Sequence, residues 1–197
     1  MRIVVAMTGA TGAVYGIRIL SALARLGVES HLVLSRWAEV TIVKETAHTV
    51  RDVAASASAF HPRNNQAAPI ASGSFHHDGM IVAPCSMKSL AAIRFGLADD
   101  LISRAADVTL KERRPLVLLV RETPFNAVHL ENMLALSRMG AIIAPPVPAF
   151  YNNPETIDDL VDHTVGRVLD VFGLEMAGMQ RWNGMRADRT SNTEADE

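Results

Sequence analysis

Two threonines and three glycines stand within nine residues near the start of the chain, Thr8-Gly9-Ala10-Thr11-Gly12-Ala-Val-Tyr-Gly16. Hydroxyl donors, backbone N–H groups that glycine lets approach closely, and a helix opening at the same spot with its positive dipole end are the groups that hold an anion. The ligand group they suit is a phosphate. The spacing GxxGxxxG is neither the dinucleotide pattern GxGxxG nor the Walker loop, which needs a Gly-Lys-Ser/Thr ending, so ATP is disfavoured. The competing reading is a tight strand-to-helix turn whose glycines serve packing alone.

Other chemistry-bearing residues also follow apolar runs. Ser35 ends one run and is a candidate second phosphate donor, and Pro84-Cys85-Ser86-Met87-Lys88-Ser89 ends another, with Ser86 and Ser89 as binding hydroxyls. Arg121-Glu122-Thr-Pro-Phe125 follows a further run, and a charged pair at a ligand edge is more than solvation. Cys85 is the single cysteine, which excludes an internal disulfide and a multi-cysteine zinc site. A nucleophilic thiol needs a base beside it, so Cys85 is expected to be a buried structural thiol. Arg104 and Lys111, seven apart, share a helix face, and a basic solvated face explains them equally well. Arg167 borders an apolar stripe, a position from which an arginine either snorkels to water or reaches a neighbouring site. Glu45 is, by periodicity alone, a solvated charge. His61, His76 and His77 lack HxxxH spacing and convergent carboxylates or thiolates, so they are expected to be surface histidines and no metal is expected.

The elements that must position these residues alternate between strand and helix. Residues 2–7 form an apolar run too short for a helix, and a 3.6-residue period takes over after Gly16. Val28–Ser35 reads as a strand and Trp37–Val50 as a helix with Val40, Val43 and Ala47 toward the sheet. Residues 51–78 have no sustained period and are expected to be the least ordered interior stretch. Gly79–Pro84 and Pro115–Val120 are buried strands, and Ala141–Ala144 a short last one. Helices are expected over about Leu90–Phe95, from Asp99-Asp100 to about 113, from the Asn126 cap to Arg138, and over about Glu155–Phe172. The last carries Ile157, Leu160, Val161, Val165, Val168, Leu169 and Phe172 as its stripe. This is an α/β pattern over residues 1–185, one domain, with a polar, acidic tail at 186–197 expected to be disordered.

Composition agrees. The 197 residues are 49% apolar and 20% charged, a globular balance, and a net charge of −2 gives no counterion-release drive toward nucleic acid. No apolar run approaches the length of a spanning helix and no leader pattern opens the chain, so no membrane partner and a cytoplasmic location are expected.

Six blocks, taken in order from residue 2 to about Trp182, closely resemble the UbiX-type flavin prenyltransferases, a family whose members were first taken for phenolic acid decarboxylases. They are Gly9-Ala-Thr11-Gly-Ala-Val-Tyr-Gly16, Pro84-Cys-Ser-Met-Lys-Ser89, Arg104-Ala-Ala-Asp-Val-Thr-Leu-Lys111-Glu-Arg-Arg-Pro, Arg121-Glu-Thr-Pro-Phe, His129-Leu-Glu-Asn-Met-Leu and Pro148-Ala-Phe-Tyr151. The resemblance implies a Rossmann-like or flavodoxin-like three-layer fold with a mainly parallel sheet, in a homo-oligomer, a dodecamer, with FMN where its chains meet. The implied reaction joins the dimethylallyl group of dimethylallyl phosphate to N5 and C6 of reduced FMN, and the product serves UbiD-type decarboxylases of aromatic acids. By likeness FMN is held by Gly9, Ala10 and Thr11, by Ser35, by Ser86, Met87, Lys88 and Ser89, and by Arg121. The prenyl phosphate is expected to meet Lys111, Arg121, Glu122, Tyr151 and Arg167, some of them from a neighbouring subunit. Glu122 is expected to protonate the departing phosphate, Thr11 and Glu45 to take or relay protons near the flavin, and Trp182 to shield the allylic cation. The chain departs from the commoner pattern at Thr11, where serine is more frequent, and at Ser89, where threonine is frequent. Both keep the hydroxyl, but the extra methyl at Thr11 restricts its rotation.

Three rivals compete with this reading. The related flavin-dependent cysteine decarboxylases use a Pro-Ala-Ser-Ala-Asn-Thr-like segment, and Pro84-Cys-Ser-Met-Lys-Ser-Leu90 has no asparagine. Direct decarboxylation of an aromatic acid is the second, which an assay without a UbiD-type partner separates. A non-catalytic FMN carrier would need the Gly9–Gly16 loop but not Lys111, Glu122, Tyr151 and Arg167 together.

Overall fold

Along the first strand, Arg2–Met7 (β1), side chains alternate between two cores: Ile3, Val5 and Met7 join one, Val4 and Ala6 the other. A strand buried on both faces needs a helical layer on each side. Glu29–Leu34 (β2), Ala59–His61 (β3), Gly79–Cys85 (β4), Leu116–Val120 (β5) and Ile142–Ile143 (β6) complete the sheet. Every ladder is parallel and the order is β3-β2-β1-β4-β5-β6, so the sheet is wholly rather than mainly parallel. The computed structural model describes residues 1–179 and 181, so Trp182 and the tail expected at 186–197 lie outside the described residues.

The helices are Ala13–Arg25 (α1), Arg36–Glu45 (α2), Val50–Ala55 (α3), Met87–Arg94 (α4), Leu101–Lys111 (α5), Ala127–Arg138 (α6) and Ile157–Asp170 (α7). Ile19, Leu20 and Leu23 of α1, Ile42 of α2 and Val161, Val165 and Leu169 of α7 cover one face of the sheet; Leu90 of α4, Leu101 and Ala105 of α5 and Leu136 of α6 cover the other. The order reverses between β1 and β4, whose helices leave to opposite faces. Their carboxyl ends therefore open the crevice in which sheets of this topology bind ligands.

Several expectations need correction. The helix expected over Trp37–Val50 ends at Glu45, because the Thr46 hydroxyl donates to the Ile42 carbonyl at 2.7 Å and Thr49 opens α3 in a capping box with Asp52. Val40 and Val43 are exposed, and Ala38 and Ile42 carry the burial instead. Residues 51–78 are ordered: they hold α3, β3 and a 3-10 turn, Pro69–Ala71, whose Ile70 is fully buried. His77 is buried rather than on the surface, and His61 stacks on His31 with Nε2 and Nδ1 2.9 Å apart. Helix α4 begins at Met87 rather than Leu90 because Ser86 caps it. Ile157, expected in the apolar stripe of α7, faces outward.

Candidate functional site

The crevice is fastened by one buried hydroxyl. Thr8, just past β1, donates from Oγ1 to the Pro84 carbonyl at 2.9 Å and accepts from the Ser86 amide at 2.7 Å, while its own amide also donates to Pro84. The loop after β1 is thereby tied to the end of β4. Thr8, read from sequence as a phosphate donor, spends its hydroxyl on this clamp. Ser86 accepts from the Ser89 amide and donates to the Ser89 hydroxyl at 3.1 Å, capping α4. Ser35 caps α2 in the same way through the Ala38 amide. Two helix N-termini with cap hydroxyls thus flank the loop holding Gly9, Ala10 and Thr11, an arrangement suited to phosphate and ribityl oxygens. Met87 and Lys88 form the first turn of α4, Met87 packed on the core and Lys88 exposed.

The third helix N-terminus, that of α1, is occupied from within. Gly12 takes the cap position at φ 101°, a left-handed conformation that glycine adopts without strain, and it has no side chain to cap with. The Glu45 carboxylate does so, accepting from the Gly12 amide at 2.8 Å and the Ala13 amide at 3.0 Å. Glu45 sits at the last residue of α2, not near the middle of a longer helix, and it is no merely solvated charge. Burial opposes its ionisation, but the Thr11 hydroxyl, the Ala13 and Gly12 amides and the Arg121 charge outweigh burial and hold the carboxyl below its usual range. A carboxylate beside a hydroxyl, fixed by two amides at the mouth of an anion crevice, is equipped to take up a proton. Arg121 reaches this corner because its amide donates to the Cys85 carbonyl at 3.1 Å, extending β5 alongside β4.

Cys85 is fully buried and burial pushes its thiol up to about 12, so it is the structural thiol expected. Glu122 lies beside Arg121, exposed, accepting from the Thr123 amide at 3.0 Å. The carboxyl-edge residues Gly9, Ala10, Thr11, Ser35, Glu45, Ser86, Ser89, Arg121 and Glu122 are therefore brought to one end of the sheet.

Two groups are placed elsewhere. Lys111 ends α5, which runs back against the strands, so it sits at the amino edge just before β5, paired with Glu112. Arg104, one face with it, donates to the Ala71 carbonyl and to Asp107. Tyr151 and Arg167 belong to the segment after β6: the Tyr151 hydroxyl lies 2.7 Å from Nε2 of His163 on α7, and Arg167, one turn further along α7, pairs with Asp170 at 3.0 Å. Sequence reasoning did not single out His163; the available signal was an imidazole between Val161 and Val165 in a helix stripe. Among the described residues no group of histidines, cysteines or carboxylates could hold a metal ion, and no helix is long and apolar enough to cross a membrane.

A family model described as Flavoprotein matches residues 1–169. The chain is 58% identical to a probable UbiX-like flavin prenyltransferase of Bacillus subtilis over 189 residues, 96% of this chain and 93% of that protein. Among solved structures it is similar to AnUbiX (PadA1) in complex with FMN and dimethylallyl pyrophosphate, with a TM-score of 0.93, 60% identity and coverage of 94% of this chain and 98% of the other. It is similar as well to a dodecameric FMN-dependent Ubix-like decarboxylase from Escherichia coli O157:H7, with a TM-score of 0.92, 60% identity and coverage of 93% and 100%.

Proposed function

The chain belongs to the UbiX-type flavin prenyltransferases, and from that premise we propose that it transfers the dimethylallyl group of dimethylallyl phosphate to N5 and C6 of reduced FMN, supplying a UbiD-type decarboxylase of aromatic acids. The observation that carries this reading is the Glu45 carboxylate, held on the Gly12 and Ala13 amides beside Thr11 and Arg121 at the carboxyl ends of β1 and β5. A non-catalytic flavin carrier would use this carboxylate only as the cap of α1 and would not need Lys111, Glu122, Tyr151 and Arg167 together.

The donor set fits FMN: the Ser35, Ser86 and Ser89 hydroxyls and the Gly9–Thr11 loop for phosphate and ribityl oxygens, with Arg121 as the cation. Met87 and Lys88 line the first turn below. Reduced FMN supplies the nucleophilic ring atoms when bound. Breaking the allylic C–O bond leaves positive charge on carbon and negative charge on phosphate, so fixed cations and donors at the leaving group stabilise the transition state. Arg121, Tyr151 and Arg167 serve there, with Lys111 reaching in from a neighbouring subunit of a homo-oligomer, a dodecamer by likeness. Glu122 protonates the departing phosphate. Glu45, already ionised, accepts the proton released when the new carbon–carbon bond forms, with Thr11 relaying it. Trp182 shields the cationic carbon.

Anaerobic incubation of the purified protein with reduced FMN and dimethylallyl phosphate, followed by mass spectrometry of the extracted flavin, tests this. The expected product is heavier by one C5H8 unit and is lost in Glu122→Gln. Unmodified FMN at full occupancy, with the diphosphate donor equally inert, overturns the reading in favour of a carrier. Release of CO2 from a phenolic acid without any UbiD-type partner would favour direct decarboxylation instead.

A further inference from the structure

We infer that Thr8 is a positioning residue for FMN: its buried hydroxyl holds the Ser86 cap of α4 in line with the Gly9–Thr11 loop, and so sets the two halves of the flavin phosphate site against each other. The inference rests on the proposal that Gly9–Thr11, Ser86 and Ser89 hold the phosphate and ribityl oxygens of FMN.

The ladder between β1 and β4 runs in register from Ile3 with Gly79 to Ala6 with Val82, and the register of β4 against β5 then shifts before Cys85. Past that point the Thr8 amide still donates to the Pro84 carbonyl at 3.1 Å, as a ladder residue does. In a regular parallel ladder the Thr8 carbonyl would next accept from the Ser86 amide. That carbonyl has instead turned to accept from the Ala10 amide at 2.8 Å, the bond that bends the chain into the Gly9–Thr11 loop. The Thr8 hydroxyl takes its place, accepting from the Ser86 amide at 2.7 Å. One side chain thus lets β1 leave the sheet while the cap of α4 stays in line with it. The other cap hangs one residue earlier, with the Ser35 amide donating to the Met7 carbonyl at 3.0 Å. That fastening is main chain; the one at Thr8 can be replaced. Thr8 is 1% exposed and its hydroxyl proton goes to the Pro84 carbonyl at 2.9 Å, so it acts through Ser86 rather than on the ligand. Ser86 accepts from the Ser89 amide and donates to the Ser89 hydroxyl at 3.1 Å, so a displaced Ser86 carries both hydroxyls with it. Valine has the shape of threonine without its hydroxyl and leaves the Ser86 amide with no acceptor.

The test is the equilibrium affinity of the full chain for FMN, measured well below the melting temperature of each variant. Thr8→Val is expected to weaken FMN about tenfold or more, and Thr8→Ser, which keeps the hydroxyl, to stay within about threefold of wild type. Thr8→Ala carries the same expectation as Thr8→Val and replaces it if the valine variant does not fold. Thr109→Val is the control for a lost buried hydroxyl: Thr109 is fully buried in α5 and donates to the Ala105 carbonyl at 2.7 Å, and its loss should leave FMN affinity within about twofold. Ser89→Ala reports on the site itself and should also weaken FMN. In the Ser89→Ala background Thr8→Val should cost less than it does alone, because both act through the start of α4. Wild-type affinity in Thr8→Val beside a weakened Ser89→Ala would overturn the inference and leave the reading of the site intact. So would a Thr8→Ser as weak as Thr8→Val, or equal losses in Thr8→Val and Thr109→Val. Wild-type affinity in both Thr8→Val and Ser89→Ala would overturn the inference and the site reading together.

Discussion

Glu45 shows how one side chain can be placed by a helix end and then act beyond it. Its carboxylate substitutes for the cap that Gly12 cannot provide, and the same contacts keep it ionised. Glu45→Gln retains an acceptor oxygen but loses the charge. We expect turnover to fall by about two orders of magnitude, the usual scale for a lost general base, with FMN still bound. Stability should respond with a definite sign. A carboxylate whose folded pKa is depressed contributes fully above its unfolded value near 4.5 and loses that contribution as pH falls through the folded value. Wild type should therefore exceed Glu45→Gln by about 0.5–1 kcal/mol at neutral pH, the two converging in acid, as thermal melts across pH would record. An equal gap at pH 7 and pH 3 would mean that the charge plays no part. None of this was legible from residue periodicity, because the partners of Glu45 stand 32 and 33 positions earlier and only the tertiary packing that brings the end of α2 to the start of α1 joins them. Thr8 was misread for the same reason: a hydroxyl beside a glycine turn looks like a ligand donor until β4 arrives next to it.

At the level of elements, the strand ends and the Asp100 and Asn126 helix starts were readable because strand–turn–helix units announce themselves locally, whereas Ser35 and Ser86, read as binding hydroxyls, prove to cap the helices that follow them as well. The break after Glu45 and the elements within 51–78 were not, since a three-residue edge strand carries too little pattern and is fixed by pairing with β2. The spacing of α1 from the sheet depends on Gly16. A Cβ there would meet the Ala83 carbonyl oxygen and would stand 2.8 Å from Cγ and Sδ of Met7. Alanine favours a helix over glycine by about 1 kcal/mol, but a backbone carbonyl cannot rotate away as a side chain can, so overpacking at about 2–3 kcal/mol wins. Gly16→Ala is thus expected to destabilise by about 1–2 kcal/mol and to lower Tm by a few degrees. Because α1 would be pushed off β4, the Gly12 and Ala13 amides should shift from Glu45, and the purified variant should retain less flavin. A variant as stable as wild type with full flavin would show that α1 has room this packing denies it.

At the scale of the whole molecule, several large apolar side chains stand exposed on the single chain. Trp37, Val128, Leu130, Leu134 and Phe150 are each more than half exposed, and Val128, Leu130 and Leu134 share helix α6, surface that assembly of the kind proposed would cover. The chemistry has the same shape. Glu122 leaves the carboxyl end of β5 and Lys111 precedes its amino end, and five strand residues put the two backbones about 16 Å or more apart, on opposite edges of the sheet. If both act on one donor molecule, they come from different subunits. Co-expression of Lys111→Ala and Glu122→Gln chains with separable tags decides this. Each variant alone should be inactive, and hybrids carrying both tags should regain activity, approaching about one site in four for random mixing, because some sites then draw Glu122 from one chain and Lys111 from another. Hybrids as dead as either parent would return both residues to one subunit, and the amino-edge position of Lys111 would then make it a structural partner of Glu112 rather than a phosphate ligand.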